Sequence, residues 1–422
     1  MGPWTEEPGT GQSGPDQPGP GQSGPGQPGP GQPGTGQPGP GQPGTGQPGT
    51  VIKDDLRATL ERLTALNGPS GFEQPVVEAL VGEFEDAGAS VRVDHMGNLY
   101  ARLRQPDPAR PDPGGPHLMV AAHSDEVGAV VRHVDQNGFL RIDPLGIVAP
   151  VLFVGRRVDV AGHLGVVGVR PVHAQTPAER HQAPPIDQLF VDVGATSAEE
   201  VAGMGIRVGS PVSYSSPLRT FSNPDRLCGK AIDNRLGCAV LIQLFRLLRD
   251  RQVAGTVTAV AAVQEEVGLR GATVAARSVR PDYAVVIDTL PVEDTPGGPE
   301  GRICGRIGHG PVLVVASSGG TFVNGHIGHP RVGEWIERAG ANCGVPVQRV
   351  SSIGYAVTDA AAVHLRGEGI PTGVLGLPRR YSHSPVCTFD INDAVGAVRL
   401  LEEFVTEMGT HAEPSFLAPQ TT

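Results

Sequence analysis

The sequence predicts an α/β fold: a mixed, mostly parallel sheet sandwiched by helices, with a small β-barrel inserted into it. Three observations carry this. Apolar strand-like runs alternate with helical periodicities over most of the chain, one central helix is apolar nearly all round, and residues 126–216 change to short Val-rich runs broken by Gly and Pro.

The elements follow in chain order. Residues 1–50 are expected to stay disordered or to sample polyproline II. From Gly9 to Gly49 a Gly recurs at every fifth position, in units such as Gly29-Pro30-Gly31-Gln32-Pro33, with almost no apolar side chain to offset the entropy of ordering. A period of five is not that of collagen, whose axis requires Gly at every third position. Next, Leu56, Leu60, Leu63 and Leu66 fall on one face of a helix that Asn67-Gly68-Pro69 stops. Val77, Leu80, Val81 and Phe84 repeat the pattern up to Gly88. Strands are then predicted over 117–122, 257–263, 283–287 and 373–377, with a buried helix over 235–248 and a closing helix over 391–406. Within the insert, 127–134, 157–160, 164–169, 189–193 and 211–214 read as strands. One helix follows Thr196, where Thr196 or Ser197 caps and Glu199 or Glu200 reciprocates. The expected organisation is a tail (1–50), a discontinuous α/β domain (51–125 and 217–412), the insert (126–216) and a flexible end (413–422).

Composition narrows the partners. The chain has 33 Lys and Arg against 44 Asp and Glu, a formal net charge of −11, so neither nucleic acid nor an anionic membrane is expected, since each calls for a basic face. The five cysteines, Cys228, Cys238, Cys304, Cys343 and Cys387, are odd in number and form no C-x-x-C pair. They read as reduced thiols of a cytoplasmic protein. Met1-Gly2-Pro3-Trp4 lacks the charged start and apolar run of a signal peptide, and no apolar stretch reaches the ~18 residues of a membrane span.

The chemistry is in the polar residues that follow apolar strands. His123 and Asp125 follow 117–122, Glu265 and Glu266 follow 257–263, Asp288 follows 283–287, and His383 follows 373–377. Such placement gathers them at the carboxyl edge of a sheet, where α/β folds bind ligands, and Asp233 at the start of the buried helix reaches the same edge. Two imidazoles and three carboxylates suit a pair of divalent metal ions that clamp one water or hydroxide. Asp125, two residues after His123, is placed to accept the second imidazole N–H and fix its tautomer. Of Glu265 and Glu266, one binds metal and the other takes the proton of the attacking water. Each residue alone has a plainer reading as a surface histidine, a solvated acid pair or a helix cap; their convergence on one edge is the signal.

On six stretches the chain resembles the metallopeptidase family numbered forty-two, which includes glutamyl, deblocking and tetrahedral (TET) aminopeptidases. The stretches are residues 67–72 (Asn67 to Phe72), 122–128 (Ala122 to Gly128), 229–238 (Gly229 to Cys238), 264–272 (Gln264 to Ala272), 286–288 (Val286-Ile287-Asp288) and 380–385 (Arg380 to Pro385). The resemblance implies a zinc-peptidase type of fold whose inserted barrel is a dimerisation domain. It also implies a dinuclear aminopeptidase acting on peptides: His123, Asp233 and Asp288 bind one ion, Asp233, Glu266 and His383 the other, Asp233 bridges, Glu265 is general base and acid, and Asp125 supports His123. The ions would be zinc, or cobalt, and the assembly a homo-oligomer, up to a dodecamer. Two departures, Cys387 after His383-Ser384-Pro385 and Tyr355-Ala356-Val357 before Thr358-Asp359, are expected near the substrate side. Other readings are a dinuclear carboxypeptidase or deacylase, separated by whether the substrate needs a free amino group, and a non-catalytic scaffold, separated by metal content. A glycosidase needs two carboxyls flanking a sugar and leaves two histidines and a bridging Asp without a role.

Overall fold

The computed structural model describes residues 48–103, 114–297, 304–320, 324–411 and 414–417. The repeat tail up to residue 47 and most of 413–422 lie outside them. Helix α1 (Pro48–Ala65) buries Leu56, Leu60 and Leu63, and α2 (Gln74–Asp86) buries Val76, Val77, Leu80 and Phe84. A hairpin absent from the sequence reading then intervenes, β1 (Ser90–Val93) with β2 (Leu99–Arg102). Four-residue strands are too short to show a period, and the usable signal is the turn. There Asp94 Oδ1 accepts from the amides of Met96, Gly97 and Asn98.

Strand β3 (His117–His123) leads into the insert, where β4 (Gly128–Val134), β5 (Leu140–Leu145), β6 (Arg157–Val160), β7 (His163–Gly168), β8 (Phe190–Asp192) and β9 (Pro211–Tyr214) close into a barrel in the order β4-β5-β8-β7-β6-β9. Its interior is filled by Val131, Ile142, Val158, Val160, Val191 and Val212, with Phe153 stacked on Tyr214. Two short helices decorate it, α3 (Pro177–Arg180) and α4 (Ala198–Gly203). Ser197 caps α4, while Glu200 accepts from Thr196. Strand β5 was not foreseen, because Pro144 within it argues against a strand.

Past the barrel come β10 (Arg219–Thr220), β11 (Arg226–Gly229), α5 (Ile232–Leu248), β12 (Thr256–Ala262), α6 (Arg270–Val279), β13 (Tyr283–Pro291), β14 (Val312–Ser318) and β15 (Gly325–Ile327). They are followed by α7 (Pro330–Cys343), β16 (Gln348–Ser352), α8 (Ala360–Val363), β17 (Thr372–Arg380), β18 (Cys387–Asp390) and α9 (Ile391–Thr406). The main sheet runs β1-β2-β12-β3-β13-β17-β18-β11-β10, with β14, β15 and β16 branching from β17. Its centre, β12-β3-β13-β17, is parallel and its flanks are antiparallel apart from the β14–β16 pair.

The central strands alternate between two cores, as a period of two dictates. Leu118, Val120 and Ala122 of β3 face the helices α1, α5, α7 and α9, whereas Met119 and Ala121 face α6 and α8. Helix α5 is buried almost entirely, between β3 and β13 on one side and α1 and α9 on the other. No helix among the described residues is long and apolar enough to cross a membrane.

Candidate metal centre

The four parallel strands end at one edge, and there the structure brings His123, Asp125, Asp233, Glu265, Glu266, Asp288 and His383 together. His123 is the last residue of β3. Asp288 stands inside β13 rather than past its end, because β13 keeps its pairing with β17 as far as Pro291. Glu265 and Glu266 occupy the turn after β12, and His383 the turn after β17. Backbone at Ala231, Gln264, Tyr381 and His383 has positive φ, a costly conformation for these residues that here borders the site.

Asp233 faces both histidines. Its Oδ1 lies 3.3 Å from His123 Nε2, and its Oδ2 lies 3.2 Å from His383 Nε2. Asp288 Oδ1 is 3.5 Å from His123 Nε2, and Glu266 Oε1 is 3.4 Å from His383 Nε2. Next door, Asn234 pins this corner of α5 to the sheet by donating to Ile287 O at 2.9 Å and accepting from Gly237 N at 3.0 Å. A Cβ at Gly237 would lie 2.3 Å from Asn234 Oδ1, so only Gly permits the bond.

Asp125 does more than face His123, whose Nδ1 is 3.3 Å from its Oδ1. It also accepts from Glu265 N at 3.0 Å, Glu266 N at 3.1 Å and Ser70 Oγ at 2.6 Å, so one carboxylate orients the imidazole and the acidic turn together. Burial opposes its ionisation, but its bonds with His123 and Ser70 hold its pKa below the ordinary value. Glu73 accepts from Gln264 N at 2.9 Å and braces the same turn. Glu126 is committed elsewhere, to Lys230 Nζ at 2.8 Å and Gly68 N at 3.1 Å.

His383 Nδ1 bonds to Ile147 O at 2.7 Å. Ile147 belongs to the insert, which therefore reaches the site: its carbonyl sets which nitrogen of His383 faces Asp233. Reversal of the chain after β5 brings it back over the site, with Gly146 at φ +85° against Val127 and Glu266.

Two charged residues had escaped the sequence reading. Arg379, buried, donates to Asp233 Oδ2 and Thr289 Oγ1 at 2.5 Å each and also to Ser382 Oγ. Asp359 is buried at the end of the segment joining β16 to α8, and neither of its carboxylate oxygens has a hydrogen-bond partner among the described residues. Arg379 follows the apolar run 373–377 but is a cation and so no candidate ligand, and Asp359 follows no apolar strand.

The charges respond to this crowding. Burial raises Glu265 well above its ordinary pKa and Glu266 to about 7, with neighbouring carboxylates adding to both. Asp288 is raised for the same reasons. Asp359 is pushed up to about 8, again chiefly by burial. Burial acts against protonated His123 too, yet the carboxylates, Glu265 foremost, hold its pKa well above normal. Asp233 goes the other way: burial would raise it, but Arg379 and the histidines keep it ionised.

A cavity of about 570 Å³ opens over these groups. Tyr355, Ala356 and Val357 line it, as expected for the substrate side. Cys387 does not. It begins β18, paired with Gly229, and its thiol is buried and pushed up to about 12.

The family profile described as M42 glutamyl aminopeptidase matches residues 107–400. The chain belongs to the M42 glutamyl aminopeptidase family. As a member it is an aminopeptidase, a peptide hydrolase. It is 31% identical to the glutamyl aminopeptidase of Lactococcus lactis, across 83% of this chain and 96% of that one. Among solved structures it is similar to aminopeptidase APDkam598 from the archaeon Desulfurococcus kamchatkensis, with 33% identity, TM-score 0.78 and coverage of 86% and 97%. It is also similar to the TET1 peptidase of Pyrococcus horikoshii, with 27% identity, TM-score 0.73 and coverage of 83% and 99%. That peptidase can assemble into a tetrahedron or a large octahedral shell.

Family membership implies divalent metal, and the donors fit it. Two groups, His123 with Asp233 and Asp288, and His383 with Asp233 and Glu266, each gather three ligand atoms within 4.8 Å and share Asp233. Glu266 Oε1 is buried with no hydrogen-bond partner, an orphan that a cation would satisfy. A third group joins His123 to both glutamates, but Glu265 Oε2 is 3.9 Å from His123 Nε2, farther than Asp233 or Asp288.

Proposed function

We propose that this aminopeptidase removes N-terminal residues from peptides at a two-metal centre, with His123, Asp233 and Asp288 holding one ion and Asp233, Glu266 and His383 the other. The observation that carries the reading is the orientation of Asp233, whose two oxygens address different histidines as a bridging carboxylate's must. Two bound divalent ions, zinc or cobalt by preference, supply Lewis-acid polarisation of the scissile carbonyl and acidify the attacking water.

The protein's own groups do the rest. Glu265 takes the proton of the water and returns it to the leaving amine, and burial suits it to hold that proton between the two steps. Asp125 and the Ile147 carbonyl fix the tautomers of His123 and His383, so that each presents Nε2 to Asp233. Arg379 stays on Asp233 through a second lone pair of Oδ2, keeping the carboxylate ionised and oriented.

Self-assembly is also proposed, in a reducing cytoplasm. It is supported by the similar TET1 peptidase and by Val151, Leu164, Val166, Val172 and Val208, exposed apolar residues of the barrel region. One preparation tests these points together. We expect about two divalent ions per chain, release of the N-terminal residue from aminoacyl amides that stops on chelation and returns with metal, and a mass above the monomer by light scattering. Full activity after exhaustive chelation refutes the metal centre, and a monomer refutes assembly.

A further inference from the structure

Asp359 is unlike every other acid of the centre. It is 1% exposed, both its oxygens lack a hydrogen-bond partner among the described residues, and it belongs to none of the groups close enough to share an ion. The fold makes no use of the carboxylate. Asp359 stands at the start of α8 without capping it, and Ala360 N donates instead to Thr358 Oγ1. A buried, unpaired carboxylate is costly, so a group retained in this condition points to a partner that arrives from outside.

Its surroundings indicate where that partner comes from. Val357, Ala361 and Ala362, on either side of it in sequence, line the cavity over the metal centre. His123, Asp288, Asp125 and Glu266 shift its pKa and Asp359 in turn raises that of Glu265, so it stands near the cluster while belonging to no ligand group. The cavity's cations do not serve it: Arg379 is held by Asp233, Thr289 and Ser382, and Arg366 donates to Thr273.

We infer that Asp359 binds the α-ammonium group of the substrate's N-terminal residue, the one charge that distinguishes a peptide's amino end from any internal amide. The inference rests on the aminopeptidase reading. With the scissile carbonyl beside Glu265, the α-nitrogen is two bonds from the carbonyl carbon. An acceptor for it belongs just outside the ligand set, behind the cavity wall that Val357, Ala361 and Ala362 form. A free α-amino group is largely protonated near neutrality, and a carboxylate is the natural acceptor for its three donors.

The test compares two competitive inhibitors, an α-amino hydroxamate and its desamino counterpart, on wild type and on Asp359→Asn and Asp359→Ser, with metal content and thermal midpoint measured for each. Wild type should prefer the amino compound. Both variants should lose about tenfold to a hundredfold of that preference, the weight of a charge-assisted hydrogen bond, while binding the desamino compound as wild type does and keeping two ions. KM for aminoacyl amides should rise more than kcat falls. The thermal midpoint should hold or rise, because a buried carboxyl without a partner has gone. Retained preference, equal weakening of both inhibitors, loss of an ion from the variants, or failure of both to fold each overturns the inference, since the carboxylate then serves metal or structure. If wild type releases no N-terminal residue, the aminopeptidase reading itself falls; if wild type is active and the preference survives substitution, only the role of Asp359 does.

Discussion

Adjacent residues on a turn send their side chains in different directions, and this separates Glu265 from Glu266. Glu266 Oε1 lies 3.4 Å from His383 Nε2 and has no other partner, whereas Glu265 comes no nearer than 3.9 Å to His123 Nε2. Glu265→Gln keeps the shape and removes the base, so turnover should fall by ~10²–10⁴ with both ions retained. Glu266→Gln should lose metal first and recover part of its activity at raised metal concentration. Metal stoichiometry and turnover of both variants decide it: metal loss from Glu265→Gln alone would assign the ligand to the wrong glutamate. Those two acids, with His123, Asp125, Asp233, Asp288 and His383, were readable in the sequence because each follows an apolar run at a strand end or opens the buried helix. Arg379 and Asp359 were not. Arg379 is the penultimate residue of β17, and Asp359 lies on a loop that tertiary packing alone brings to the cluster.

At the scale of elements, the sequence revealed most of the long, uniformly apolar pieces, though not β14, and concealed short or crossed ones. The central strands and α5 are apolar on both faces, so their runs stand out. Helix α7 buries Val332, Trp335, Ile336 and Ala339, a clean helical stripe that the sequence reading passed over, while β1, β15 and β18 are too short to show a period. The least legible contact was between elements, from the barrel to His383 through Ile147. Gly146 makes it possible, for at φ +85° a Cβ would meet Val127 Cγ1 at 2.9 Å and Glu266 Cβ at 3.3 Å. Gly146→Ala should therefore push the Ile147 carbonyl off His383 and cost about 1–2 kcal/mol of stability from the backbone alone. Its metal content should drop from two ions toward one, because His383 serves only one of the two proposed positions. Titration with a metal-sensitive dye would show this as weakening of a single step, and two steps of wild-type affinity would contradict it.

For the whole molecule, the acidic cluster makes stability a joint function of pH and metal. In the metal-free protein Glu266 is pushed up to about 7 and Asp359 to about 8, from ordinary values of 4.5 and 3.8, chiefly by burial. His123 and His383 are also raised, against the pull of burial, by the carboxylates around them. All four groups hold protons in the folded chain that the unfolded chain has released, so the free energy of unfolding must fall as pH rises. The slope is about 1.4 kcal/mol per pH unit for each extra proton held. His326 and His411 act in the opposite sense. Burial lowers both to about 4 from 6.5, so their effect is confined below pH 6.5, where the unfolded chain gains protons first. The window from 6.5 to about 8 therefore leaves the cluster and one distant acid, Asp393, which burial raises to about 7 and which acts alike with or without metal. Across it the thermal midpoint of chelated protein should fall more steeply than that of loaded protein, where cations stand in place of the cluster's protons and only groups such as Asp393 still titrate. The gap between the two should widen with pH, and metal binding should release protons, seen as a buffer-dependent heat in calorimetry. A chelated protein that grows more stable over this window would show that the carboxylates are already ionised and compensated without metal, and the reason for gathering them around two ions would be lost.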